Sequence, residues 1–303
     1  MKNDPVSLPR YAKLAEQEAQ FWGSVQPSKD NPQLWDDPLL FGIFFKPQWD
    51  ALIGTVSQLG RDVLEVGCGE GNLTIELAER GLSVDAMDIS EDRIHRARDK
   101  SRSLIGKEGA NMPHFEVADL NMKDLPPARY DVVVAHDALH HILRLDRLLD
   151  EIAEALRPGG SLVVYDYVGM RTIRKFLAAA LYALLPTYQP YGRKFGLAKR
   201  LGGFLRSEAG KREHLQAKPP AAGNESPFEE ISQGSIVKLI EEKFDVIEKR
   251  EFHPFFFYLA PKIRLPKSLR GKIMRWFAFW DERIVRWRIA GGAYVYIIAR
   301  KRS

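Results

Sequence analysis

Val63-Leu-Glu-Val-Gly-Cys-Gly-Glu-Gly71 joins a short apolar run to three alternating glycines, and the residues that follow have helical spacing. A strand that ends in such a turn and enters a helix brings bare main chain against a ligand, because a Cβ there would hold the ligand away. A dinucleotide fingerprint would place its third glycine at position 72, where this chain has Asn72. Glu65, just ahead of the turn, would repel a pyrophosphate and attract a cation. The turn therefore favours a positively charged nucleoside ligand over a nicotinamide dinucleotide.

Working outward, strand and helix signals alternate. Asp62–Val66 is followed by a helix-like Gly71–Arg80, then a strand at Ser83–Met87 and a charged helix at Glu91–Ser103 that Ser90 can cap. Strands are expected at His114–Val117 and Tyr130–Ala135, an amphipathic helix at Leu145–Leu156 and a fifth strand at Ser161–Asp166 after Arg157-Pro-Gly-Gly160. Ser232–Glu242 reads as helix, with strands at Phe244–Lys249 and Tyr294–Ala299. Strands separated by helices of this length build a parallel, doubly wound α/β sheet.

Two further acids stand at strand ends. Asp88 closes the second strand, where a carboxylate can accept ribose hydroxyls, and Asp119 closes the third, where it can meet an adenine amino group. Ile89 and Leu120, beside them, can sandwich the base. Glu65, Asp88 and Asp119 lie at the carboxyl ends of three successive strands, so the sheet converges them on one crevice. A methionyl ammonium at Glu65 completes a set suited to S-adenosyl-L-methionine. Helix caps and solvated loop acids explain any one of the three, but the set poorly.

These motifs resemble the class I S-adenosylmethionine-dependent methyltransferases, in particular the type 11 group with its quinone- and lipid-modifying enzymes. The resemblance covers roughly Arg61–Asp166 and rests on 63–71, on Asp88 and Asp119, on Tyr130-Asp-Val-Val-Val-Ala-His-Asp-Ala-Leu-His-His-Ile142 and on Leu156-Arg-Pro-Gly-Gly-Ser-Leu162. It implies a Rossmann-like seven-stranded sheet with its last strand antiparallel. It also implies a cofactor lined by Glu65, Gly67, Cys68, Gly69, Gly71, Asp88, Ile89, Asp119, Leu120, His136 and Asp137. His140 and His141 are candidate catalytic bases: a histidine near neutral pKa can take the proton of an attacking hydroxyl. A helix cap is the alternative role for either imidazole. No carboxylate or cysteine spacing completes a metal site around them.

Some acceptors can be set aside. Methylation of base amino groups would call for an Asn/Asp-Pro-Pro-aromatic turn after the fourth strand, where this chain has Ala135-His-Asp-Ala138. Cytosine-C5 chemistry needs a cysteine nucleophile, and the one cysteine, Cys68, is expected to pack inside the glycine turn. A single cysteine also excludes an intramolecular disulfide.

Outside the core the chain departs from the resemblance. Residues 1–60 read as a helical lead or lid, with helices at Tyr11–Trp22 and from about Pro47 to Leu59; 61–169 is the cofactor core. Residues 170–227 form a basic helical insertion, and 228–303 complete the sheet around an aromatic and basic insertion at 252–292. The net charge of +5 is concentrated in the insertions. From Lys262 to Arg302 only Asp281 and Glu282 oppose the bases. Apolar-aromatic faces flanked by cations suit a capping subdomain over a greasy acceptor or an anionic membrane surface; RNA fits less well. No apolar run reaches the roughly 20 residues of a membrane span, and the N-terminus lacks a signal peptide's apolar core. A cytoplasmic protein, peripheral to membrane at most, is expected. The function expected is methyl transfer to oxygen or carbon of a small or lipid acceptor. The alternatives are a membrane- or RNA-binding protein that keeps a non-catalytic domain of this kind and, less favoured, an NAD(P)-dependent oxidoreductase.

Overall fold

The computed structural model describes residues 11–24, 37–105, 111–170, 172–187, 226–229 and 231–302. Strands β1 (Asp62–Val66), β2 (Ser83–Asp88), β3 (His114–Val117), β4 (Tyr130–His136), β5 (Leu156–Tyr167), β6 (Phe244–Phe252) and β7 (Tyr294–Lys301) form one sheet ordered β3-β2-β1-β4-β5-β7-β6. The first five are mutually parallel, and β7 is antiparallel to both β5 and β6. This is the seven-stranded, doubly wound sheet with an antiparallel last strand that the sequence implies.

The near-continuous apolar runs are those of strands covered on both faces. Val63, Val132, Val163 and Tyr165 point to one face and pack with α3 (Lys46–Leu59) and the 252–292 segment. Leu64, Val133, Leu162 and Val164 point to the other, against α6 (Leu145–Ala155) and α8 (Ile236–Lys243). The sheet is thus the middle layer, and its parallel strands all aim their carboxyl ends at the same edge. Between strands run α4 (Asn72–Glu79) and α5 (Glu91–Leu104); the Ser90 hydroxyl accepts from Arg93 N as an N-cap.

Four boundaries differ from the expected ones. The helix read from Pro47 begins at Pro38: α2 (Pro38–Leu40) runs through a π-helical turn, Phe41–Phe45, into α3, and Asp37 caps its start through Leu39 N and Leu40 N. Pro47 has no N–H to give, so the ladder is interrupted there and the preceding turn widens, Lys46 N reaching back to Phe41 O. Strand β5 begins at Leu156 rather than Ser161, with a register shift at Tyr130/Val132. The Arg157 guanidinium bridges Asp62 and Asp131 at 2.7 Å each and holds this lead-in against β1 and β4. Helix α8 starts at Ile236 because Ser232 is spent on a turn, its N–H donating to His140 O and its hydroxyl to Ile142 O. Strand β6 continues to Phe252, pairing with Tyr294 of β7, rather than ending at Lys249.

Of the basic helical insertion expected at 170–227, α7 (Thr172–Leu184) is described, and residues 188–225 lie outside the described residues. The second insertion holds α9 (Phe256–Leu259), a 3-10 turn (Ala260–Lys262) and α10 (Lys267–Arg286). Buried Asp281 of α10 accepts from the N–H groups of Phe255, Phe256 and Phe257 at 3.2, 3.0 and 3.0 Å, fastening α9 to it. Among the described residues no helix is long and apolar enough to cross a membrane.

Candidate functional site

The glycine turn after β1 is built as its sequence requires. Gly67, Gly69 and Gly71 have φ of 74°, 54° and 72°. A Cβ on Gly67 would stand 2.4 Å from the Ala138 methyl, so the turn lies directly against the loop that follows β4. Cys68 turns its side chain inward among Ile75, Ala86 and Phe115, and burial pushes its thiol pKa up. Its contribution to the turn is backbone: Gly67 N and Cys68 N both donate to Met87 O, tying the turn to β2.

Of the three acids, Asp88 bonds to this turn directly, Glu65 lies on the strand that leads into it and Asp119 follows β3. Asp88 Oδ2 accepts from Gly69 N at 2.8 Å and Oδ1 from Ser90 N at 2.9 Å, so one carboxylate braces both the turn and the start of α5. Glu65 is buried and accepts from the Thr74 hydroxyl of α4. Burial pushes its pKa up to about 8 against the opposing Thr74 bond, and the nearby Asp88 charge adds to the rise. Asp119 Oδ1 accepts from Asn121 N and Nδ2, which leaves Oδ2 to face the crevice. Ile89 is half-buried there, whereas Leu120 is buried in the core with Val133, Leu139 and Leu145.

Helix α1 (Tyr11–Ser24) spans this edge of the sheet. Its Tyr11 hydroxyl donates to Asp119 Oδ2. Trp22 lies over the Arg93 guanidinium at 4.6 Å and meets the His141 ring edge-on at 5.1 Å. Gly23 O accepts from Arg96 at 3.2 Å. Buried Glu18 accepts from Trp22 Nε1, Ser226 Oγ and Phe228 N, and its Oε1 lies 3.3 Å from His141 Nδ1. Burial raises the Glu18 pKa, but His141 and Ser226 outweigh it and hold the group below the usual carboxylate range. One helix thus touches α5 and the segments that follow β3 and β4.

After β4 the chain makes the turn 136–141. Asp137 sits at φ 50°, a left-handed conformation uncommon for a residue with a side chain. His136 Nε2 and Asp137 Oδ1 are buried with no hydrogen-bond partner among the described residues. Burial lowers His136 to about 4, whereas burial and the Asp166 charge push Asp137 up to about 8. His140 Nδ1 lies 2.6 Å from Asp166 Oδ1, and Asp166 Oδ2 accepts from Ala138 N and Leu139 N. Burial alone would lower His140, but the Asp166 charge and hydrogen bond prevail and raise it to about 9; Asp166 is correspondingly lowered. Ligand-type atoms of Asp137, His140 and Asp166, and of His140, His141 and Glu229, lie within 4.8 Å of one another. His140 belongs to both groups, and its Nδ1 is engaged by Asp166 Oδ1 at 2.6 Å.

Aromatic rings line the end of the sheet beyond this turn. Tyr165 stacks on His136 at 5.4 Å and on Tyr294 at 5.3 Å, and its hydroxyl meets His253 Nε2 at 2.9 Å. Tyr167 lies 5.9 Å from His140 and 6.4 Å from Tyr258. The buried polar atoms of His136 and Asp137 with open valences, beside a left-handed glycine turn, fit the polar cofactor expected from the sequence.

The candidate residues therefore gather at one edge, apart from the Cys68 and Leu120 side chains, which are spent on packing. Sequence reasoning missed Asp166, Glu18 and Tyr11. Asp166 ends a parallel strand, so the rule that selected Asp88 and Asp119 would have selected it. Glu18 and Tyr11 carried no such signal, because their partners are set by how α1 docks.

Residues 64–162 match the family described as "Methyltransferase domain". The chain is 37% identical over 122 residues to an uncharacterised methyltransferase of Mycobacterium bovis, a match covering 40% of this chain and 58% of that protein. It is 29% identical over 160 residues to a ubiquinone biosynthesis O-methyltransferase of Idiomarina loihiensis, covering 52% and 59%. The chain thus spans less than two thirds of either relative. A crystal structure of an S-adenosylmethionine-dependent methyltransferase from Methanosarcina mazei aligns with 82% of this chain and 96% of its own, with TM-score 0.51 and 16% identity, a likeness of fold.

Proposed function

We propose that this chain, whose residues 64–162 match a methyltransferase domain, is a class I S-adenosylmethionine-dependent methyltransferase that transfers the cofactor's methyl group to an oxygen or carbon of a small lipophilic acceptor. The observation that carries the reading is the set of Glu65, Asp88 and Asp119 around a glycine turn too tight for any side chain. In this reading Glu65 receives the methionyl ammonium, Asp88 the ribose hydroxyls and Asp119 the adenine amino group. Gly67, Gly69 and Gly71 supply bare backbone, and His136 and Asp137 line the site with their open polar atoms.

When bound, S-adenosylmethionine supplies an already activated methyl on a sulfonium. The chain's own work is alignment and exclusion of water, which suffice for much of the acceleration. Helix α1 acts as the lid that closes over the edge of the sheet. His140 is the base: its conjugate acid near 9 is matched to a phenolic acceptor of pKa about 10. Asp166 positions it and keeps it basic. His141, held beside Glu18 and Trp22, is the second candidate. The partly buried rings of Tyr167 and Tyr258 suit an apolar or aromatic acceptor. The aromatic and basic composition of 252–292 supports a peripheral place at an anionic membrane, where such acceptors gather.

Calorimetry with S-adenosylhomocysteine tests the cofactor site. Wild type binds, and Asp88→Ala and Gly67→Val do not; equal binding by all three overturns it. Radiolabelled methyl transfer into a lipid extract, followed by mass spectrometry of the product, tests the acceptor class, and labelling confined to water-soluble compounds would refute it.

A further inference from the structure

Helix α10 buries one face and presents another that none of the described residues covers. Met274, Phe277 and Asp281 point inward, Phe277 stacking on Phe256 of α9 at 4.3 Å. On the opposite side Trp276 is 56% exposed, Phe279 46% and Leu269 48%. Just past the helix end Trp287 is 55% exposed and Ile289 69%. At 100° per residue Leu269, Trp276, Trp280 and Trp287 fall in one stripe along the helix. Trp276, Trp280 and Trp287 touch in sequence, with ring centroids 6.1 and 6.2 Å apart.

Cations flank this stripe. Lys272, Arg275, Arg286 and Arg288 are exposed, and Arg283 lies over the Phe279 ring at 4.6 Å. Little opposes them: Asp281 is turned inward to three backbone N–H groups, leaving Glu282 as the helix's exposed acid. Apolar burial and attraction to anions are thus offered on the same side.

We propose that this face of α10 docks the protein on an anionic lipid bilayer, with the indoles at headgroup depth and the cations against lipid phosphates. From Trp276 to Trp287 the stripe runs about 16 Å, a length of contact suited to a flat surface. The indoles meet nearly edge-to-face, at 70° and 71°, so consecutive rings do not stand parallel as a platform for successive stacked nucleic-acid bases. Single-stranded RNA is the competing occupant. The face is also joined to the candidate site by packed rings: Phe277 on Phe256, then the adjacent Phe257 stacked on His253 at 4.0 Å and 5.4 Å from Tyr294. Arrival of the acceptor from the membrane rests on the methyltransferase reading; the docking itself does not.

The test is sedimentation with vesicles of phosphatidylcholine, with and without phosphatidylglycerol, at low and high salt. Wild type should bind the anionic vesicles and be released by salt. Arg275→Ala with Arg286→Ala should weaken binding about twenty-five-fold, roughly fivefold per cation. Trp276→Glu with Trp287→Glu should abolish it. Both variants should keep the wild-type melting temperature and affinity for S-adenosylhomocysteine, which separates loss of docking from failure of the cofactor reading. Absence of wild-type binding at low salt, binding unchanged in both variants, or vesicle binding displaced by an RNA oligonucleotide held more tightly would each overturn the proposal.

Discussion

The hydroxyl of Tyr11, in the first described helix, donates to the Oδ2 of Asp119, 108 residues further on at the end of β3. Because Asn121 occupies the other oxygen, Tyr11 covers the face of Asp119 that an adenine amino group would need. In the proposed binding mode the adenine amino group competes with Tyr11 for this oxygen. Tyr11→Phe should tighten S-adenosylhomocysteine binding about fivefold, the worth of one net hydrogen bond of about 1 kcal/mol. Calorimetry decides it, and weaker binding would show that Tyr11 holds the cofactor instead of yielding to it.

Glu65 gives cofactor affinity a pH dependence. Burial holds the free carboxyl at about 8, so at neutral pH it is mostly uncharged, whereas an ammonium needs the carboxylate. Affinity should fall about tenfold for each pH unit below that value and level off above it. Glu65→Gln should bind weakly and without this slope when dissociation constants are compared from mildly acid to mildly alkaline pH.

The His140–Asp166 pair predicts an alkaline limb in the rate. His140 accepts a proton only after losing its own, so kcat/KM should climb with pH and inflect near 9. Asp166→Asn removes the charge that raises the imidazole and should move the inflection downward, provided circular dichroism shows the fold intact. The sign for stability is opposite. His140 is raised above its unfolded value near 6.5, so the pair stabilises fully below that pH, and its contribution is lost as pH rises through about 9.

Asp281 serves α9 with three acceptor bonds from inside α10. Asp281→Ala would leave three N–H groups without this partner and should cost about 2–4 kcal/mol, read by urea unfolding. Asp281→Asn keeps an acceptor oxygen and should recover part of the loss. An alanine variant as stable as wild type would mean that water serves these groups equally well.

The parallel strands were legible because each is a short apolar run bounded by glycine, proline or an acid, and because the crossover rule then fixes which edge carries their ends. Asp88 and Asp119 could be chosen on that basis alone. The π turn ahead of Pro47 was not legible, since proline at a helix's first turn and proline after a widened turn look alike in one dimension. The start of β5 was hidden for another reason: Arg157-Pro-Gly-Gly160 reads as a loop until Asp62 and Asp131, distant in sequence, supply its anchor. Likewise, nothing local to Glu18 announces His141 or Ser226. The missed features share one cause, which is that their partners become neighbours only after the sheet has assembled.

The contact between Gly67 and Ala138 has a consequence for how such a protein can diversify. The glycine turn after β1 and the loop after β4 share a surface with no spare volume, so bulk cannot be added at either position. Asp137, His140 and His141 branch away from that seam. Variation toward other acceptors is accordingly expected away from this seam, while the contact between the two loops is barred from drifting.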